Sequence, residues 1–242
     1  MIKISKRLER VASCVNKKSI VIDVGTDHGL LPMFLIENKI AKKAIASDVV
    51  KSIVERTSDS IKHNGFSDDI KVVLSDGLKN INDEKILGQK ADTIIIAGMG
   101  GILTCDILNA RKDFIRDKKL ILSPHRDDDL VRKTLHANGF KITKEEILED
   151  KEDKFYHIIC ATFGNDTKYK DIDYKLGKKL LNAKYQDKEF IKYLKHLINK
   201  NKNIISKLSN STNSNSKVLE LENEINELKN ILDKENKKAK KV

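Results

Sequence analysis

A chain of 242 residues is long enough for one catalytic-sized domain with an appendage, and no stretch approaches the ~20 apolar residues that a membrane span needs. Cys14, Cys105 and Cys160 are odd in number and lack close spacing, so neither a metal centre nor a disulfide framework is expected, and the charged N-terminus gives no export signal; a reduced cytoplasm is the expected compartment. The net charge of +11 suits a polyanion, but a Lys-, Ile- and Asn-rich composition would raise the charge of any protein, and the distribution says more: +8 of the excess falls on residues 166–242.

Ile4, Leu8, Val11 and Val15 recur at helical spacing and predict a leading helix, after which Ser19 to Val24 reads as a buried strand. Strands are further expected at 44–47, 70–74, 93–97 and 120–122, with crossover helices between them, which implies a mostly parallel sheet covered by helices. Residues 140–149 and 155–163, joined by the polar Asp150-Lys151-Glu152-Asp153-Lys154, suggest a terminal hairpin with one antiparallel strand. Beyond Gly164 the strand signal stops. Ile191, Leu194, Ile198, Ile205 and Leu208, then a polar loop from Ser209 to Ser216, then Val218, Leu221, Ile225, Leu228 and Leu232 predict an antiparallel coiled-coil hairpin. The expected organisation is an α/β domain over 1–164 and a helical hairpin over 165–242, in a monomer.

The first strand runs into Asp23-Val24-Gly25-Thr26-Asp27-His28-Gly29-Leu30-Leu31-Pro32, a glycine turn where open parallel sheets bind ligands. The dinucleotide spacing fails, because Asp27 and Leu30 fill the second and third glycine slots, and an Asp there would repel a pyrophosphate. S-adenosylmethionine has no phosphate and carries a sulfonium and an ammonium that carboxylates stabilise. Asp48, ending the second strand, is placed to accept from ribose hydroxyls, and Asp76, after the third, to meet the adenine amine; each alone is as easily a turn or capping residue. Val49 and Gly77 adjoin them in the expected cofactor site. Ile96-Ala97-Gly98-Met99-Gly100-Gly101 ends the fourth strand, where its glycines admit a flat ligand and the Asp/Asn-Pro-Pro-aromatic motif of exocyclic-amine methylases is absent. Three readings stay open at this point: a methyltransferase acting on RNA, one of the same fold acting on another substrate, and a non-catalytic RNA-binding protein.

Ser5-x-Arg7-Leu8, the Asp23 to Pro32 segment and the Ile96 to Gly101 segment together resemble the bacterial tRNA (adenine-N1)-methyltransferases that act on adenine 22. The resemblance implies a Rossmann-like, seven-stranded class I methyltransferase sheet, S-adenosyl-L-methionine as donor and tRNA as substrate. It maps Asp23, Gly25, Asp27, Gly29, Asp48, Asp76 and Gly98 onto cofactor-side positions, with His28 and Ala97 beside them. Where the family has Gln-Pro-Asn after the fifth strand, this chain has Ser123-Pro124-His125-Arg126. Adenine N1 is a free lone pair, so no strong base is required; Asp27 is expected to stabilise the cationic product and Met99 to line the base pocket, with His28 and His125 as weaker candidates for proton transfer. Arg7 and the lysines Lys184, Lys188, Lys192 and Lys195, spaced three to four apart, are expected to contact RNA. No constellation for a metal is present in the sequence.

Overall fold

The computed structural model describes residues 1–151, 154–184, 187–208 and 215–238. In chain order the elements are α1 (Lys6–Ser13), β1 (Ser19–Val24), α2 (Leu30–Glu37), β2 (Ala41–Asp48), α3 (Lys51–His63), β3 (Ile70–Leu74), α4 (Asp83–Leu87), β4 (Thr93–Ala97), α5 (Gly101–Ala110), α6 (Lys112–Ile115), β5 (Lys119–Ser123), α7 (Asp128–Ala137), β6 (Phe140–Lys151), β7 (Lys154–Phe163), α8 (Asp171–Leu176), α9 (Lys178–Leu181), α10 (Lys188–Leu208) and α11 (Asn215–Lys238). The seven strands form one sheet in the order β3-β2-β1-β4-β5-β7-β6. β1 runs parallel to β2 and β4, while β7 is antiparallel to β5. All seven expected strands are present. Asp150, Lys151 and Lys154, expected in a linker, belong instead to β6 and β7, because the strands extend almost to the tip; Glu152 and Asp153 lie outside the described residues.

Both faces of the sheet are covered, which is why its central strands are continuous apolar runs rather than alternating ones. Ile22, Val24, Ile94, Ile96, Leu120 and Leu122 point into one core, and Val21, Ala44, Ala46, Ile95 and Ile121 into the other. The second core also receives Leu8, Val11 and Val15, so the leading apolar stripe seats α1 against the sheet. The chain steps outward from β1 in one direction and from β4 in the other, and the crevice beyond their C-terminal ends is where this topology leaves room for a ligand.

Two compact units divide the chain: Met1–Glu146 with Tyr156–Gly177, and Ile147–Phe155 with Lys178–Val242. Composition changes near residue 164, but packing changes near 177. The intervening segment is held to the sheet domain: Asp166 accepts from the Ile142 amide at 2.9 Å, Tyr174 meets His136 at 2.9 Å, and the Arg132 guanidinium donates to the Tyr174 carbonyl at 2.7 Å.

In the second unit, Phe190, Leu194 and Ile198 of α10 and Leu221, Ile225 and Leu228 of α11 are buried, whereas Ile191, Ile205, Leu208, Val218 and Leu232 are half-buried. Lys238, near the end of α11, donates to the Leu181 carbonyl at 3.4 Å, ahead of the start of α10, so α11 runs back along α10 as a helical hairpin. Asn201 and Glu235 continue the same three-four spacing as buried polar members of the seam. Of the expected polar loop, Asn215 and Ser216 are already helical in α11, and the rest lies outside the described residues. Among the described residues no helix is long and apolar enough to cross a membrane.

Candidate active site

β1 delivers Asp23 and Val24 to the C-terminal edge of the sheet, and the chain then turns sharply. The Gly25 and Thr26 amides donate to the Ser47 carbonyl at 2.8 and 3.0 Å. Gly25 has φ +75°, a conformation that favours glycine, and a Cβ there would have to displace the flexible end of the Met99 side chain. His28 and Gly29 also adopt positive φ, 53° and 68°, carrying the chain into α2. Asp23 is only 6% exposed. Its burial pushes the carboxyl up to about 6, with Thr26 and then the Arg7 guanidinium pulling it partly back. Asp27, by contrast, is 87% exposed, with an oxygen 3.4 Å from His28 Nε2.

The Ser5-x-Arg7-Leu8 segment has a structural reading. Ser5 is the N-cap of α1 and its hydroxyl accepts from the Leu8 amide at 3.3 Å, which fixes the first turn and points Arg7 and Leu8 at the sheet edge. The Arg7 guanidinium lies 5.2 Å from the Tyr156 ring centroid, and the Tyr156 and His125 rings are 5.5 Å apart. Arg7 Nη1 is buried with no hydrogen-bond partner among the described residues. Gly98, whose φ of +94° favours glycine, turns beside the guanidinium, and a Cβ there would be in ordinary contact with Arg7 Nη2 at 3.4 Å. A cavity of about 120 Å³ is lined by Arg7, Leu8, Asp23, Asp27, Leu30 and Ala97, among others, with Gly25 in its wall.

Asp48 and Asp76 reach the same edge of the sheet outside this cavity. Asp48 ends β2, half-buried, and one of its carboxylate oxygens accepts from the Val50 amide at 2.8 Å. Asp76 follows β3 and meets Lys79 at 2.6 Å on the surface, a pair of small energetic weight. Val49 is 62% exposed, and Leu74, Ile102 and Leu103 are also exposed large apolar residues. Gly77 turns beside Ile107 with φ +58°. Met99 is partly buried, packed on the core and laid across Gly25, a packing position that shapes the floor of the turn.

Tyr156 was not legible as a site residue. β7 brings it beside the β5 turn through long-range antiparallel pairing, for which the local sequence holds no signal. The expected row of four lysines also changes. Lys184 precedes α10 and so shares no helix face with the others, and Lys192 is paired with Glu149 at 2.7 Å and Glu189 at 3.7 Å. Lys188 and Lys195 are exposed on α10. The two helices differ in charge, with six Lys and one Glu in α10 against five Lys and six Asp/Glu in α11. Among the described residues no cluster of three metal-ligating side chains occurs.

A family model described as a methyltransferase domain matches residues 4–159. The chain is 30% identical over 239 residues to the tRNA (adenine(22)-N(1))-methyltransferase of Bacillus subtilis, covering 96% of this chain and 98% of that one. The crystal structure of the B. subtilis m1A22 tRNA methyltransferase superposes with a TM-score of 0.81 at 28% identity over 96% of this chain and 100% of that one. A Streptococcus pneumoniae protein crystallised with S-adenosyl-L-methionine superposes with a TM-score of 0.83 at 31% identity, over 95% of this chain and 100% of that one.

Proposed function

The chain belongs to the family of tRNA (adenine(22)-N(1))-methyltransferases, and on that premise we propose that it transfers a methyl group from S-adenosyl-L-methionine to N1 of adenine 22 in tRNA. The observation that carries the reading is the cavity at the β1–β4 switch point, where a buried carboxylate and an unpartnered guanidinium atom border a turn whose Gly25 adopts a positive φ. These residues suit a ligand that bears an ammonium and lacks phosphate. Bound there, S-adenosyl-L-methionine supplies an electrophilic methyl group on its sulfonium.

The protein's part is placement. Asp23 receives the ammonium, Asp48 the ribose hydroxyls and Asp76 the adenine amine, while Val49 offers an apolar face to the adenine ring. The in-plane lone pair of the target N1 attacks without prior proton removal, so what the site contributes is alignment and exclusion of water. Asp27, at the mouth of the cavity, stabilises the positive charge that appears on the methylated base, and gains strength as docked RNA displaces its water. Base N1 is normally paired or stacked in folded tRNA, so the nucleotide is drawn out to reach Met99 and Gly98. Methyl transfer to a tRNA transcript carrying adenine at position 22, and none to the same transcript with guanine there, is the expected result; equal transfer to both would refute the position. The chain is proposed to act as a monomer in a reduced cytoplasm, a compartment that suits its three buried free thiols.

Asp48→Ala removes ribose hydrogen bonds worth roughly 1–3 kcal/mol, so cofactor affinity falls by about one to two decades. Calorimetric titration with S-adenosylhomocysteine measures this, and unchanged affinity in the folded variant would refute the ribose assignment.

The surplus of α10 is proposed to hold tRNA phosphates. Changing Lys184, Lys188, Lys192 and Lys195 together to Gln lowers the log–log salt slope of tRNA binding by roughly one unit per lost phosphate contact. The drop falls short of four, since Lys192 is engaged by two carboxylates. Cofactor affinity stays unchanged. A parental salt slope in the variant would remove these lysines from the RNA interface.

A further inference from the structure

We propose that Ile102 and Leu103, in the first turn of α5, form an apolar wedge that enters the tRNA base stack as the target adenine leaves it. The inference rests on the function proposed above and assigns a surface to the step that draws the nucleotide out.

The exposed large apolar side chains of the sheet domain are not scattered. Among the described residues, and apart from Met1 and Phe163, all of them lie at or beyond the C-terminal end of a parallel strand: Val49 and Val50 after β2, Leu74 closing β3, Ile102 and Leu103 after β4, and Leu130 after β5. Single exposed apolar residues need no explanation, whereas a group on one edge beside a ligand cavity marks an interaction surface. Val49 lies on the side assigned to the cofactor. Ile102 and Leu103, 58% and 49% exposed, instead follow directly on the Gly98-Met99-Gly100-Gly101 turn that the target base must reach.

These two side chains stand on a rigid support. The Gly98 amide donates to the Ser123 carbonyl at 3.1 Å, the His125 amide to the Met99 carbonyl at 2.8 Å and the Gly101 amide to the Arg126 carbonyl at 3.0 Å, so the turns after β4 and β5 are laced together. A Cβ on Gly101 would stand 2.6 Å from the Asp127 carbonyl oxygen, and only glycine lets α5 start so close to the next loop. Behind the first turn, Thr104, Cys105 and Leu108 are buried and anchor the helix. A base drawn from its stack leaves a gap, and Ile and Leu are among the side chains that nucleic-acid-binding proteins insert between bases.

The charge around the wedge favours a polyanion over an apolar protein surface. Arg126 is 78% exposed, with its Nε 3.5 Å from Asp127. The other acids that open α7 are engaged, Asp129 with Lys133 at 3.2 Å and Asp128 with Arg132 at 3.8 Å and His157 at 3.3 Å. Asp106 sits one turn further along α5, away from the edge.

The test uses the full chain with S-adenosylhomocysteine and a tRNA carrying 2-aminopurine in place of adenine 22, whose fluorescence rises as the base unstacks. At saturating protein, Ile102→Ser with Leu103→Ser should give less than about a third of the parental rise, while S-adenosylhomocysteine affinity stays within about twofold of the parent. In methyl transfer, the same variant should lose about ten- to a hundredfold in kcat/KM on tRNA, yet remain within about threefold of the parent on a transcript with an abasic site opposite adenine 22, where no pair has to be broken. Should the double variant fail to fold, each single change carries the same comparison. A parental fluorescence rise in the variant overturns the proposal and leaves the patch to another occupant, such as a protein partner. An equal loss of kcat/KM on both transcripts also overturns it, marking the two residues as part of the base pocket. If the parent methylates adenine 22 but gives no rise, the wedge alone falls; if it methylates neither transcript, the proposed function falls and the wedge with it.

Discussion

Arg132→Met is expected to lower folding stability by about 3–5 kcal/mol, because it strands a buried carboxylate. Arg132 and Glu145 are both fully buried, with Nε donating to Glu145 at 2.6 Å. Nη1 donates to the Tyr174 carbonyl at 2.7 Å and Nη2 meets His157 Nδ1 at 3.1 Å, while His157 Nε2 lies 3.3 Å from Asp128. One guanidinium therefore joins α7, β6, β7 and the segment ending at Gly177. The thermal midpoint should fall by roughly 6–20 °C at 2–4 °C per kcal/mol. Arg132→Met with Glu145→Met should recover most of the loss, since an apolar pair of similar volume replaces two desolvated charges. A single variant within about 1 kcal/mol of the parent in urea unfolding would show that the network contributes little. Burial also holds His157 below the usual imidazole range. The stability tied to its neutral form is present above the unfolded value of about 6.5 and is lost as pH falls through the lowered folded value.

Asp23→Asn is expected to move stability and affinity in opposite directions. The carboxyl rises from 3.8 to about 6 in the folded chain, chiefly through burial. Its contribution to stability is therefore complete below the unfolded value and lost as pH rises through about 6. At neutral pH the free protein carries a penalty of up to roughly 3 kcal/mol, which the amide removes. The ligand's ammonium favours the ionised form, so S-adenosylhomocysteine affinity should be level above pH 7 and decline towards about tenfold per pH unit below pH 6. Asp23→Asn should melt later than the parent when free, bind the ligand at least tenfold more weakly, and show a flat profile over this range. A variant with the parental affinity and pH profile would remove Asp23 from the cofactor site.

The strands were legible because parallel strands buried on both faces become apolar runs bounded by turns, as in Ile20 to Val24 and Thr93 to Ala97. The acids were legible for a related reason: successive parallel strands present their C-terminal ends to one edge, so Asp23, Asp48 and Asp76 must gather there. What escaped depends on distant pairing. Tyr156 reaches Arg7 only because β7 inserts beside β5, and Lys192 finds Glu149 across 43 residues of chain. Packing divides at 177, beyond the compositional change at 164, because buried Tyr169 and Leu176, together with two carbonyls accepting from Arg132, hold a polar-looking segment to the sheet domain. Helix periodicity likewise identified Leu194 and Leu221 in the seam, while Asn201 and Glu235 escaped a search for apolar residues.

The central claim is methylation of a ring nitrogen of adenine in tRNA, and nucleoside analysis tests it most directly. Unmodified tRNA is incubated with the protein and S-adenosyl-L-methionine, digested near neutral pH so that 1-methyladenosine does not rearrange to its N6 isomer, and resolved by mass spectrometry against both standards. The expected product is 1-methyladenosine, located at position 22 by fragment analysis. N6-methyladenosine in its place, or no methylated adenosine from a protein that binds the cofactor, would contradict it.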